Sequence, residues 1–245
     1  MKTMKNLIYK ELKLSWHPMI FVFIVLFPFM VLIPTYPTWI GFIYVCSCYP
    51  ILFLGTNKGQ QSNDLIYTAL LPVRKKDIVL ARIFSLLIML GIAAVIMGAL
   101  TPITIMIKNS IIAEEAEINI ANGMSEADAY ANAALMFNYG LPTEAFLSML
   151  GFALLAFAAY DYFFLTWFYR NGKSVLLSTL LGMLFFIIIL LITTIGLPLI
   201  IPGFGEFCAI WWVQLIIFAV CASIFAGVLY AAYRVSVKNL EKVNL

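Results

Sequence analysis

Asp161 is the one acid placed well inside a hydrophobic run, Ala145 to Tyr169, and Arg82 lies near one end of another. An uncompensated aspartate at mid-bilayer costs about 2.5 to 3.5 kcal/mol on insertion scales, so Asp161 must face protein or water. It precedes Arg170 by nine residues, about 13 Å along a helix. A structural pairing of Asp161 with Arg82 is the expectation, with substrate or proton handling at Asp161 as the alternative. One buried acid supplies neither a nucleophile with its base nor a pair of carboxyls. The chain has no Walker A sequence, GxGxxG, HExxH, GxSxG or paired-cysteine zinc spacing. Its single histidine, His17, sits between Trp16 and Pro18 as a boundary residue. Cys46, Cys48, Cys208 and Cys221 fall in or beside apolar runs and read as small buried hydrophobes. No catalytic, cofactor-binding or metal site is therefore expected in this chain.

The elements that hold these residues are membrane helices. Of 245 residues 64% are hydrophobic and 11% charged, with a mean hydropathy of +1.01, whereas a soluble domain carries about a quarter charged residues. Each span needs roughly 20 apolar residues, so the chain accommodates six spans with short connections and no second, catalytic domain. The basic start followed by a long Phe- and Pro-rich run lacks a small-residue cleavage site, so no cleavable signal is expected.

Residues 1–16 carry Leu7, Ile8 and Leu12 near one helical face and Lys10 and Glu11 on the others, the pattern of an interfacial helix. Pro18 to Ile33 and Trp39 to Leu54 follow, two short spans or one re-entrant hairpin. The third span runs from Ile78 to Ile107. A polar insertion, residues 108–143, then holds Glu114, Glu115, Glu117, Glu126 and Asp128 against Lys108 alone. Within it Ile111, Ala113 and Ile118 mark one short helix before Asn122-Gly123, and Ser125 with Asp128 caps a second. The remaining spans are Ala145 to Tyr169, Val175 to Leu199 and Phe207 to Tyr233. Every lysine and arginine except Lys108 falls on the side of the termini, which places both termini in the cytoplasm and the insertion outside. Trp16 and Trp167 at inner boundaries, with Trp39, Trp211 and Trp212 at outer ones, fit an aromatic belt.

Between the second and third spans lies the basic stretch 57–77. Ser62 or Asn63 can cap a short helix there, Leu65, Ile66, Ala69 and Leu70 recur at helical spacing, and Pro72 stops it. The other reading is a solvated loop anchored by its leucines. A helix this short needs a surface to pack on.

The run Leu70, Leu71, Pro72, Val73, Arg74, Lys75, Lys76, Asp77, Ile78, Val79, Leu80, Ala81, Arg82 resembles the "LP-basic-basic, then I-V-x-A-K/R" passage of ABC-2 type transporter permeases. The N-terminal NLIYKELKL is similar to their elbow helix. The resemblance implies one all-α polytopic transmembrane domain over 1–245, with six transmembrane helices, an N-terminal interfacial elbow helix, a short cytoplasmic coupling helix and a small helical extracellular insertion. It implies an ATPase-coupling interface at Asp64, Leu65, Tyr67, Thr68, Leu70, Leu71, Pro72, Arg74, Lys75 and Lys76. It implies that ATP and Mg are bound by a separate ATP-binding cassette subunit. A second permease protomer, identical or not, would complete the pathway in the bacterial plasma membrane, and no nucleic acid is involved. Small size and a polar outer insertion are similar to permeases that export amphipathic or antimicrobial peptides, phenol-soluble modulin exporters included, or other hydrophobic compounds. The competing readings are a membrane scaffold or sensor that recruits a cytoplasmic partner, and a membrane enzyme centred on Asp161.

Overall fold

A computed structural model describes residues 5–13, 22–33, 41–43, 45–46, 73–135, 137, 140–171 and 175–242. Regular structure among them is entirely helical. Asp64, Leu65, Tyr67, Thr68, Leu70, Leu71 and Pro72 of the expected coupling segment lie outside the described residues, as do Trp16, His17, Trp39 and Cys48.

Helix α1 covers 5–13. A π-helical turn, Val22–Leu26, leads into α2, Phe27–Leu32, and residues 41–43 and 45–46 are also helical. The chain continues as α3 (Lys75–Ala121), α4 (Glu126–Leu135), α5 (Phe146–Asn171), α6 (Val175–Ile200), α7 (Phe204–Ala209) and α8 (Trp211–Lys242). Among the described residues four helices, α3, α5, α6 and α8, are long and apolar enough to cross a membrane.

Helix α3 runs on past Ile107, the expected end of the third span. Its 47 residues are unbroken, about 70 Å at 1.5 Å per residue, more than twice a hydrocarbon core of about 30 Å. The separate helix expected around Ile111 to Ile118 is the far end of this one. Nothing between Lys108 and Ala121 stops a helix, because a charged residue ends burial in lipid and not hydrogen bonding. The stop comes at Gly123, whose φ of 92° suits a residue without Cβ. There the Met124 N–H donates to Asn119 O and the Gly123 N–H to Ile120 O, the two bonds of a Schellman ending. Pro102, inside the helix, removes the donor that Gly98 O would meet. Around it Thr101 donates to Met97 O, and Thr104 donates to Leu100 O and, at 2.9 Å, to Val31 O in the last turn of α2.

The capping pair opens α4 as its spacing predicts. Ser125 Oγ donates to Asp128 Oδ2 at 2.6 Å and accepts from the Asp128 N–H. Ala116 of α3 packs on Ala129 and Ala133 of α4, so alanine-sized side chains bring the two helices together in a hairpin.

Helix α5 is the central element: it packs most extensively on α8 and next on α6. Small residues set the spacing. A Cβ at Gly151 would lie 3.2 Å from the Phe218 Cα, and one at Gly182 would lie 3.1 Å from the Tyr160 ring. Helix α6 holds a π-helical turn, Ile192–Gly196, with a traceable cause. Pro198 has no N–H to give Thr194 O, which instead accepts from the Leu141 N–H at 3.1 Å. Gly140, at φ 93°, makes room for that contact, since a Cβ there would collide with Thr194 O.

The sixth run also differs from expectation. Ile210 is extended and separates α7 from α8, which starts at Trp211 and continues past Tyr233 to Lys242 because no breaker intervenes. Trp211 and Trp212 stand exposed at its start. Cys46, Cys208 and Cys221 are free thiols buried in the bundle.

Candidate functional site

The antiparallel helices gather the basic residues at one end. Here α3 and α6 begin, α5 and α8 finish, and α1 is attached. Three side-chain links tie this basic end together. Lys75 Nζ donates to Leu240 O at 3.2 Å, so the first residue of α3 meets a carbonyl in the last turn of α8, where the helix dipole favours a cation. Asn239 Nδ2 donates to Thr166 O at 3.2 Å and joins α8 to α5. Arg74, at the N-cap position of α3, pairs with Asp77 in the first turn, with Nε 3.0 Å from Oδ2.

A fourth link lies deeper. Arg82, two turns into α3, has a side chain 0% exposed, and its Nε stands 3.6 Å from Oε1 of Glu11, itself 3% exposed. That separation exceeds the roughly 2.7 to 2.9 Å of a short charge-assisted hydrogen bond, so the attraction is that of an ion pair. The guanidinium also stands 5.7 Å from the ring centre of Phe168 on α5, within cation–π range. Arg82 therefore joins α1, α3 and α5.

From Phe168 an aromatic ladder runs into the bundle. Phe168 stacks on Phe164 (6.1 Å between centres), Phe164 on Tyr160 (5.5 Å), and Tyr160 meets Phe186 of α6 edge-on (6.4 Å). Phe186 contacts Phe157 (4.9 Å), Phe157 contacts Phe42 (5.9 Å), and Phe42 contacts Phe27 of α2 (5.6 Å). Edge-to-face and offset pairs of this kind contribute about 0.5 to 1.5 kcal/mol each beyond area burial.

Two expectations are corrected here. Glu11, assigned to the polar face of α1, points into the protein together with Leu7, while Ile8, Lys10 and Leu12 are half-buried. The expected partner of Arg82, Asp161, forms no ion pair among the described residues. The reason is axial: Asp161 sits seven residues before Phe168, about 10 Å deeper in the bundle. Asp161 is 1% exposed, and its Oδ1 has no hydrogen-bond partner among the described residues. Of the basic triplet, Arg74 and Lys76 are exposed and Lys75 is half-buried against α8.

At the opposite, acidic end one residue escaped sequence reasoning. Buried Gln214 accepts from the Leu147 N–H at 3.0 Å and donates to Glu144 O and Ala209 O. It satisfies one orphan donor at the start of α5 while holding the connections before α5 and after α7. Ser148 adds a bond to Cys208 O, and Lys108 pairs with Glu144 at 3.2 Å. Between the two ends a groove of about 340 Å³ opens among α5, α6 and α8, lined by apolar residues including Leu155, Phe163, Ile189 and Val228.

This arrangement offers no reactive centre among the described residues. It offers a bundle cross-linked at the end where charge gathers, which suits mechanical work. A family model described as ABC-2 family transporter protein matches residues 6–241. The chain belongs to that family. It is thus a membrane protein with the permease domain of an ABC transporter, a class of subunit that is normally non-catalytic and works with a partner ATPase. No curated protein and no solved structure was found to match this permease.

Proposed function

We propose that this ABC-2 permease is the six-span subunit of an exporter that works as a dimer, with ATP and Mg bound by a separate cassette subunit. The basic end carries the reading. Helix α1 acts as the elbow helix, residues 57–77 as the cytoplasmic coupling segment, and the exposed Arg74 and Lys76 stand where a soluble ATPase can reach them. The charge asymmetry favours a bacterial plasma membrane orientation with both termini inside. For cargo, the acidic outer hairpin and the apolar groove favour amphipathic peptides or other hydrophobic compounds. A membrane enzyme centred on Asp161 gains no support, since no second acid, nucleophile or base pairs with it among the described residues.

The test is co-purification of the permease with its cassette ATPase in lipid, followed by ATP hydrolysis with and without an amphipathic cationic peptide. Peptide should stimulate hydrolysis several-fold. Charge reversal at Arg74 and Lys76 combined with Leu70→Asp should abolish the stimulation; full coupling in that variant would remove the coupling segment from the mechanism.

A further inference from the structure

We infer that Glu11 and Arg82 form a positioning pair that makes α1 and α3 move as one body, so that displacement of α1 reaches the spans through the Phe168 ladder. The inference rests on the transporter reading above and deepens it.

Burial gives the pair this character. An exposed ion pair is worth about 0 to 1 kcal/mol and separates freely. Two charges 0% and 3% exposed behave differently, because parting them leaves an uncompensated charge in a dry site. Sliding α1 past α3 is therefore far more costly than moving both. Among the described residues of α1, two side chains are buried. A helical stretch of the length described, 5–13, is marginal without a surface to pack on, and Lys5, Asn6, Tyr9 and Lys13 are exposed. Leu7 and Glu11, one turn apart, are its buried anchor.

The residue type at position 82 matters as well. A guanidinium can lie over Phe168 while directing Nε to Glu11, a combination of planar face and fixed donor that an ammonium does not reproduce. Beyond Phe168, the rings of Phe164, Tyr160, Phe186, Phe157, Phe42 and Phe27 meet in series, stacked within α5 and edge-on from there through α6 and residue 42 to α2. Close-packed rings pass on displacement because voids are few and compressibility is low. The pair thus sits where α1 meets this line of ring contacts.

The experiment compares wild type, Glu11→Gln, Arg82→Lys and the exchange Glu11→Arg with Arg82→Glu, each reconstituted with the cassette ATPase in lipid nanodiscs. Amide hydrogen exchange over 5–13 reports docking of α1, co-purification reports assembly, and permease-stimulated ATP hydrolysis reports coupling. In Glu11→Gln, exchange over 5–13 should rise at least tenfold and stimulation fall at least fivefold, with ATPase still bound in wild-type proportion. Arg82→Lys, which keeps the charge and loses the stacked plane, should keep α1 protected within threefold of wild type yet lower stimulation. The exchange variant, which restores the ion pair but sets a carboxylate beside Phe168, should return protection of 5–13 to within threefold of wild type while stimulation stays low; protection no better than in Glu11→Gln overturns the inference. Unchanged exchange in Glu11→Gln, or increased exchange with wild-type stimulation, overturns the inference. Loss of ATPase binding in Glu11→Gln also overturns it, by assigning the pair to assembly. A wild-type permease that neither binds nor stimulates the ATPase overturns the transporter reading and this inference together.

Discussion

Gln214 uses both ends of one amide to hold three backbone groups from three segments. Its replacement by alanine leaves the Leu147 N–H and two carbonyls without that partner, and each unsatisfied buried group costs about 1 to 3 kcal/mol. Gln214→Ala should therefore lower the midpoint of thermal unfolding in detergent by several degrees, read by intrinsic tryptophan fluorescence; an unchanged midpoint would show that relaxation or water replaces all three bonds. In the sequence Gln214 is one polar residue among apolar ones, and the carbonyls it serves exist as a cluster only after α5, α7 and α8 have packed. Asp161 and Arg82 show the complementary failure. As two charges in apolar runs they invite pairing, but their depths differ, and Arg82 meets a carboxylate from a helix that its polar residues had assigned to the surface.

Among the elements, the stops and starts made by glycine, proline and short hydroxyl side chains were legible. Ser125 with Asp128 opens α4, Gly123 closes α3, and Gly203 at φ 77° turns the chain into α7. Less legible was the continuity of α3, because the polar insertion marks where lipid ends and says little about where a helix ends. The π-helical turn of α6 was hidden for a different reason: it depends on Pro198, Thr194 and Leu141 at once. An N–H restored at 198 would compete for Thr194 O. Pro198→Ala should accordingly speed exchange of the Leu141 amide at least tenfold and relax the turn toward regular α geometry. Equal protection in both proteins would mean that packing around Gly140, and not the missing donor, sets the turn.

For the molecule as a whole, charge distribution and hydropathy made the helical membrane class and the acidic and basic ends readable, since both follow from transfer energies summed over many residues. The cross-bundle ladder was unreadable, because rings from Phe27 to Phe186 come together only through helix packing. Orientation can be tested directly. With Cys46, Cys208 and Cys221 buried and Cys48 replaced by serine, an impermeant maleimide should label Met124→Cys in intact cells and Lys76→Cys only after permeabilisation; the reverse pattern would invert the topology.

Helix α3 carries one consequence of its length. As a stiff rod of 47 residues, pivoting near its middle, it sweeps each tip through about 6 Å for every 10° of tilt. A fluorophore on the Gly123 bend would then act as a pointer on a dial, reporting rocking of the bundle from a spot remote from the machinery that drives it.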